Sequence, residues 1–282
     1  MHHIKITRAV AVSAIAFLAL TGCAATGGDT ADVADDCAPV HPDVATITPG
    51  VLTTSVFVTP PYTAEDSTGG YLGGTEGAIL SKIAEMECLT IDASSLAVPA
   101  MWASIESGRA DVAIAGNYYT DERAAKYNLS SAMYRDGMNV VSTAGYDSVE
   151  DLEGKKTGVI QGYLWNEDLV ATLGTDNVIQ YQDPTSMMSD LEAGRIDAAI
   201  TTSAEAAYRI SLSDADLKAP LFTADERVKA STEPGRVVIG ITKGNSSLTD
   251  AIDADIQTLI EDGTIAEILE ANGIDGSLAG DQ

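Results

Sequence analysis

Residues 101–114 read MWASIESGRADVAI and residues 187–200 read MMSDLEAGRIDAAI, so one pattern occurs twice at an offset of 86 residues. In each copy, apolar residues lie four positions apart before a Gly-Arg pair, and a short apolar run follows. This spacing predicts a helix that ends at a glycine with a left-handed backbone conformation, followed by a buried strand. The chain therefore contains one helix–strand unit twice.

The residues in front of each copy extend the unit in the same way. We predict a strand at 51–58 and a helix at 77–86 before the first copy, and a strand at 156–160 and a helix at 165–173 before the second. Strands that alternate with helices favour parallel sheets with right-handed crossovers. Two such sheets predict an α/β protein with two lobes, whose cleft lies at the carboxyl ends of the strands.

Two extended segments, 138–143 and 237–242, lie at the two ends of the second unit and are predicted to cross between the lobes. After the second crossing, apolar residues at helical spacing predict helices that pack back on the first lobe. The first lobe is therefore predicted to be discontinuous, comprising 37–141 and 239–276, while 142–238 form the second lobe.

The N-terminal residues have the pattern of an export signal. Residues 1–22 carry a basic start and an apolar run that is too short to span a bilayer, and they end beside Cys23 in the sequence LTGC. This ending resembles the bacterial lipobox and predicts cleavage before Cys23 and lipid attachment to it. The alternative is a small-residue cleavage site that happens to contain a cysteine. Residues 23–36 are small and acidic, and we expect a flexible tether there.

The chain has 42 acidic and 16 basic residues, which gives a formal net charge of −26. Such a surface repels polyanions, so nucleic acid and anionic lipid are not expected partners.

Two further cysteines, Cys37 and Cys88, are predicted to form a disulfide, since an exported protein meets an oxidising environment. The alternative is a pair of buried thiols. Two of the three histidines lie in the leader and His41 stands alone, so no Cys/His cluster has the spacing of a metal site. The sequence therefore predicts no metal site and no cofactor.

Several motifs resemble one family when they are taken together. They are Val58-Thr-Pro-Pro-Tyr62, residues 96–111, Ala115-Gly-Asn-Tyr-Tyr-Thr-Asp-Glu-Arg123, residues 152–162, Gly194-Arg-Ile-Asp197 and Glu261-Asp-Gly-Thr264. They are similar to the family 3 solute-binding proteins of amino-acid ABC importers, which have the two-lobed type II periplasmic-binding fold. The resemblance implies a monomeric receptor outside the cytoplasm, anchored by its lipid, that carries a small solute to an ABC permease.

The residues Thr120 and Arg123 suggest one end of a binding site. Thr120 can cap a helix whose N-terminus favours an anion, and the Arg123 guanidinium can bind a carboxylate with two hydrogen bonds. The alternative is a surface arginine paired with Asp121 or Glu122. The resemblance implies that Arg123 holds the carboxylate of the ligand, helped by the backbone of the preceding loop, which includes Gly116.

Other site positions depart from the family pattern. Where the family often has two aromatic residues that stack on the ligand, this chain has Thr59 and Val98. Thr202 replaces the acid that usually takes the ligand's ammonium, and Tyr163-Leu164 replace a pair with hydroxyl groups. A buried ammonium without an acid is costly, so an ordinary amino acid is expected to bind poorly unless another acid, with Glu205 as a candidate, takes that place.

The cleft motifs are also rich in aromatic residues. We hypothesise that their ring faces hold a cation or a flat apolar group; the residues are Tyr62, Tyr118, Tyr119, Tyr163 and Trp165. The alternative is that some of these tyrosines only pack at the base of the cleft and do not bind the ligand. Trp102 is expected to lie in the core. The predicted ligand-binding set is Arg123, Thr59, Tyr62, Gly116, Tyr118, Tyr163, Leu164, Trp165 and Thr202.

Two other functions compete with the receptor. Dehydratase-like enzymes resemble this family, and a carboxylate such as Glu76 could act as an acid or base. The cleft motifs, however, contain no Ser-His-Asp or Cys-His set. An extracellular sensor module is the third possibility, and the sequence shows no signalling segment that would favour it.

Overall fold

The computed structural model describes residues 37–220 and 222–280. The strands, in chain order, are β1 (Val51–Val56), β2 (Thr90–Ser95), β3 (Val112–Ile114), β4 (Asn128–Leu129), β5 (Tyr134–Asp136), β6 (Met138–Val141), β7 (Thr157–Ile160), β8 (Val178–Tyr181), β9 (Ala198–Thr202), β10 (Gly235–Val237) and β11 (Gly240–Ile241). The α-helices are α1 (Gly74–Met86), α2 (Val98–Glu106), α3 (Asp121–Lys126), α4 (Asn166–Leu173), α5 (Pro184–Glu192), α6 (Ser203–Leu212), α7 (Ser246–Glu261) and α8 (Thr264–Ala271).

The first lobe is built on a five-stranded sheet with the order β2-β1-β3-β11-β4. Strand β1 runs parallel to β2 and β3, and β11 pairs antiparallel with β3 and β4. Helices α7 and α8 return to this lobe and contact α1. Leu52, Ile79 and Ile252 are completely buried in the resulting core. The predicted return of the C-terminal helices to the first lobe is therefore what the structure shows.

The second lobe is built on a four-stranded sheet with the order β6-β9-β7-β8. Strand β7 runs parallel to β8 and β9, whereas β6 pairs antiparallel with β9. Each lobe thus has a mainly parallel sheet with helices packed against it. The prediction of a two-lobed α/β fold is confirmed.

A pair of short antiparallel strands lies beside the two predicted crossings. Strands β5 and β10 form an antiparallel pair in which Asp136 lies opposite Gly235 and Tyr134 lies opposite Val237. The predicted crossing at 138–143 instead begins with β6, which pairs with β9 inside the second sheet. Its apolar side chains are buried. Burial of these side chains is more favourable in a sheet that packs on a core than in an exposed connection. Residues 138–141 thus pair within the second sheet, and the lobe boundary at residue 141 stays a prediction.

The repeated unit appears in the structure at the predicted offset. Helices α2 and α5 begin 86 residues apart, as do β3 and β9. Gly108 and Gly194, which follow the helices, have φ values of 66° and 69°, as expected for left-handed glycines. Both helices begin three residues earlier than predicted from Met101 and Met187, because each accepts a proline in its first turn.

The aspartate in each copy of the repeat accepts hydrogen bonds from the backbone of a neighbouring segment. Asp111 is fully buried, and its carboxylate accepts hydrogen bonds from the amides of Ile47 at 2.8 Å and Thr53 at 3.0 Å. Asp197 is exposed and accepts one from the amide of Lys156 at 2.8 Å.

The two aspartates are therefore expected to differ in their effect on stability. Asp111→Ala should lower the free energy of unfolding by about 1–3 kcal/mol, because it leaves two partly buried amides without partners and removes a fully buried side chain. Asp197→Ala should cost less than about 1 kcal/mol, since water can replace the carboxylate. Urea unfolding of the two variants measures the difference, and equal losses would contradict this account.

A disulfide joins Cys37 to Cys88, just after α1, with a Cα–Cα distance of 5.8 Å. The predicted pairing is confirmed. The predicted leader 1–22, the lipidated Cys23 and the tether 23–36 lie outside the described residues. Within the described ranges, no helix is both long and apolar enough to span a bilayer.

Candidate functional site

A cavity lies between the two lobes, where loops from the carboxyl ends of β1, β3 and β7 meet the end of β9. It is lined by Tyr62, Val98, Ala115, Gly116, Asn117, Tyr118, Arg123, Gly162, Tyr163, Leu164, Trp165 and Thr202. Eight of the nine predicted ligand-binding residues are in this set. The parallel strands that the repeat predicts thus bring these residues together from distant parts of the chain.

Arg123 lies at the start of α3, and its surroundings leave its charge without an acidic partner. The Thr120 hydroxyl caps the helix by accepting a hydrogen bond from the Arg123 amide at 3.1 Å. The guanidinium donates to the carbonyl of Tyr118 at 2.7 Å and lies 4.7 Å from the centre of the Trp102 ring. Burial lowers the pKa of Arg123 to about 10, so the group remains charged at neutral pH.

The alternative interpretation of Arg123 as a surface ion pair does not hold in the described part of the chain. Glu122 pairs with Lys126 at 2.7 Å, and no described carboxylate oxygen lies within 4.0 Å of the Arg123 guanidinium nitrogens. A largely buried guanidinium that lies beside a cavity and has no anionic partner is suited to bind a carboxylate there.

Aromatic rings form one wall of the cavity. The rings of Tyr118 and Trp165 meet edge to face at 6.4 Å, and those of Tyr163 and Trp165 at 5.1 Å. The Tyr118 hydroxyl and the Trp165 indole N–H are buried and have no hydrogen-bond partner among the described residues. Such groups seek a partner when buried, so the wall offers polar contacts as well as apolar area. Trp102 is buried, as expected for a core residue, and packs on Tyr127 at 4.7 Å.

The amide of Gly116 has an acceptor within the protein. It donates to Glu76 Oε1 at 2.7 Å, and the Tyr134 hydroxyl donates to the same oxygen at 2.7 Å. Burial raises the pKa of Glu76 to about 7. Gly116 therefore lines the cavity as predicted, while its N–H is directed to Glu76 in this conformation.

Thr59, the ninth residue of the predicted set, and the candidate acid Glu205 lie outside the cavity lining. Thr59 is fully buried, and its hydroxyl donates to Glu205 Oε1 at 3.2 Å. Glu205, the candidate acid for an ammonium, also lies 3.4 Å from Arg209 Nη2. Thr59 therefore does not line this cavity, since its side chain faces Glu205, and its contact with the ligand stays a prediction. Glu205 is likewise held by neighbours rather than facing the cavity.

Asp136, at the end of β5 in the crossing, is an acid that the sequence analysis missed. It is buried and accepts hydrogen bonds from the Tyr62 hydroxyl and, at 2.8 Å, from the Gly137 amide. The Tyr62 hydroxyl also contacts the Thr202 hydroxyl, so two cavity residues connect Asp136 to the cavity. Burial raises the pKa of Asp136 to about 6, so the carboxyl is mainly ionised at neutral pH.

The cavity itself is small. Its volume of about 30 Å³ is enough for one or two water molecules. A wider groove of about 430 Å³ opens to solvent on the other side of Arg123 and includes Trp102, Thr120 and Leu164. A solute larger than this cavity therefore needs the lobes or the aromatic side chains to move apart.

Comparison with known proteins agrees with this arrangement. The family model of the bacterial extracellular solute-binding proteins, family 3, matches residues 53–273. The chain is 29% identical over 219 residues to the L-cystine-binding protein TcyJ of Escherichia coli (strain K12), covering 75% of this chain and 77% of that protein. It is 26% identical over 220 residues to the lysine/arginine/ornithine-binding periplasmic protein of the same strain, covering 72% of this chain and 80% of that protein.

Solved structures show the same fold. An ancestral arginine-binding protein bound to glutamine matches with a TM-score of 0.70 and 26% identity, over 80% of this chain and 98% of that chain. An ABC uptake transporter substrate-binding protein from Streptococcus pneumoniae with bound histidine matches with a TM-score of 0.71 over 82% of this chain and 94% of that chain. Its identity of 21% limits that likeness to the fold.

Proposed function

The chain belongs to the bacterial extracellular solute-binding proteins of family 3, and on that premise we propose that it captures an amino acid and delivers it to an ABC permease. The observation that carries this proposal is the buried Arg123 guanidinium, which faces the cavity without an acidic partner. Relatives named above are described as binding cystine, lysine/arginine/ornithine or glutamine, and all of these carry an α-carboxylate.

The carboxylate of the ligand is assigned to Arg123. Its fork-shaped guanidinium lies at the cavity wall, and its helix presents a positive N-terminal end nearby. The cost of burying the arginine is then offset when the ligand arrives, which makes the carboxylate a strong determinant of binding.

The ammonium of the ligand is assigned to the hydroxyls of Tyr62 and Thr202, with Asp136 behind them as the negative charge. This arrangement supplies the acid that is absent at position 202. The aromatic wall of Tyr118, Tyr163 and Trp165 would then contact the side chain of the ligand. The ligand can contact both lobes only when the cleft between them is closed. It therefore binds the closed state more tightly and shifts the population towards that state.

A thermal-shift screen of amino acids, opines, amines and dicarboxylates tests the proposal. A ligand at 100 times its Kd adds about 2.7 kcal/mol of apparent stability. Amino acids that stabilise the protein stoichiometrically, with no product formed on long incubation, would support a receptor. Steady conversion of a stabilising compound would instead favour the dehydratase-like enzyme.

The role of Asp136 predicts a pH dependence. Its pKa of about 6 in the unliganded protein means that the carboxyl becomes neutral as pH falls below 6. Amino-acid affinity should therefore fall by about threefold to tenfold between pH 7.5 and pH 5, because the protein must lose a proton to recover the charge. Isothermal titration calorimetry at several pH values measures this change.

The variant Asp136→Asn supplies the comparison for that experiment. It should bind weakly at every pH, with a flat profile, since it cannot ionise. The exposed Asp121→Asn, on α3, should keep the profile of the wild type. A wild-type affinity that does not change with pH would remove Asp136 from this role.

The cellular setting is part of the same proposal. Cleavage before Cys23 and lipid attachment to it would hold the receptor at the outer face of the cell membrane, next to the permease. Mass spectrometry of the purified membrane-bound protein should find a lipid-modified N-terminal Cys23. A single copy is expected to bind the ligand, so the protein should run as a monomer in size-exclusion chromatography.

A further inference from the structure

A second cluster of ionisable side chains lies on the first lobe, and none of its members lines the cavity. His41 comes from the segment before β1, Glu87 follows α1, and Asp255 lies in α7. One ligand atom from each residue lies within 4.8 Å of the other two. His41 Nδ1 is 2.7 Å from Glu87 Oε1 and 3.8 Å from Asp255 Oδ1.

Asp255 is the most buried member of the cluster. The residue is only 1% exposed, and outside the cluster itself neither of its carboxylate oxygens has a hydrogen-bond partner among the described residues. Glu87 is 3% exposed and brings a second carboxylate to the same place. Two buried carboxylates beside one imidazole are strongly unfavourable unless a cation or a proton compensates them.

We infer that His41, Glu87 and Asp255 bind a divalent transition-metal ion such as Zn²⁺. An imidazole nitrogen and two carboxylate oxygens form a ligand set that suits this ion, and the two carboxylates balance its charge. Ligand atoms around tetrahedral zinc, at about 2.0–2.1 Å from it, lie roughly 3.3 Å apart, so small rotations would suffice. The His41 side chain is 34% exposed, which leaves room for water as a further ligand.

The position of the cluster gives the ion a structural role. The disulfide ends at Cys88, next to Glu87, and the amide of Val40 donates to the carbonyl of Met86 at 3.0 Å. A bound ion would add a link from this N-terminal segment to α7. Short ligand spacings that would predict a metal site are absent from the sequence, because His41 and Glu87 lie 46 positions apart.

Calorimetric titration of ZnCl₂ into chelator-treated protein at physiological ionic strength tests this inference. We expect one saturable equivalent and a rise in Tm of about 5 °C when free Zn²⁺ is 100 times its Kd. Asp255→Asn should lower the affinity by more than about 100-fold, since the loss of an outer-shell partner alone costs about 10–100-fold. This variant should still fold, because the change removes a buried charge.

Two further variants make the result specific. His41→Ala should also lose the site, whereas Asp250→Asn, an exposed residue on the same helix, should bind Zn²⁺ like the wild type. If the wild type shows no saturable binding, the buried carboxyls hold a proton and the inference is overturned. Equal affinity in the wild type, Asp255→Asn and His41→Ala would mean binding to the acidic surface, which would overturn it as well.

Discussion

Replacing Arg123 by alanine is expected to weaken binding of the amino acid by at least roughly 30-fold, a cost of about 2–5 kcal/mol. The size of the effect follows from the burial of the guanidinium beside the cavity, where it has no acid of the protein as a partner. Its removal would leave the ligand carboxylate desolvated and unpaired. Calorimetry with an amino acid identified by the screen measures the change in Kd.

The same variant should fold normally. The cap of α3 uses the backbone amide of Arg123, which alanine keeps. Lys126→Ala is the matched control, because Lys126 is an exposed cation on the same helix and pairs with Glu122. It should change Kd by less than about twofold. An Arg123→Ala protein that binds as tightly as the wild type would show that the carboxylate lies elsewhere.

Removal of the disulfide should produce the largest loss of stability. The link closes a loop with a sequence separation of 51 residues, for which the chain-entropy model gives about 4 kcal/mol. The double variant Cys37→Ser/Cys88→Ser should therefore lose about 2–5 kcal/mol in urea unfolding. Ligand affinity should change little, since neither residue lines the cavity.

Reduction of the wild-type protein provides the control for the double variant. Cys37 is exposed, so a small thiol reagent can reach the link. The reductant should lower the wild type to the stability of the double variant and leave the variant itself unaffected. If the wild type and the double variant unfold at the same urea concentration, the disulfide does not stabilise the fold.

Most of the fold could be predicted from the sequence because the repeated unit is encoded locally. Apolar spacing, a glycine after each helix and a short apolar strand recur at one offset, and the structure keeps that offset. The segment Met138–Val141 is extended and mostly apolar, which is compatible both with a crossing and with a sheet strand. Only its pairing with β9 decides that it belongs to the second sheet, and local sequence does not encode that choice.

The residues of the candidate site that lie in loops directly after strands could be predicted from the sequence. Those whose position depends on contacts between side chains of the two lobes could not. Arg123 and the residues after β7 were found because their positions follow from strand order and from the motif around Thr120. Asp136 was missed because its link to the cavity runs through Tyr62, which is 74 positions away. Thr59 was predicted from its place before the paired prolines, whereas the direction of its side chain depends on Glu205 in the other lobe.

The position of β11 in the first sheet also has a consequence for how the chain folds. This strand lies between β3 and β4, yet it is made more than 100 residues after them. During synthesis or export, the second lobe has all its strands before residue 240 emerges, while the first sheet still lacks an interior strand. The second lobe can therefore fold first, and the N-terminal lobe is completed last.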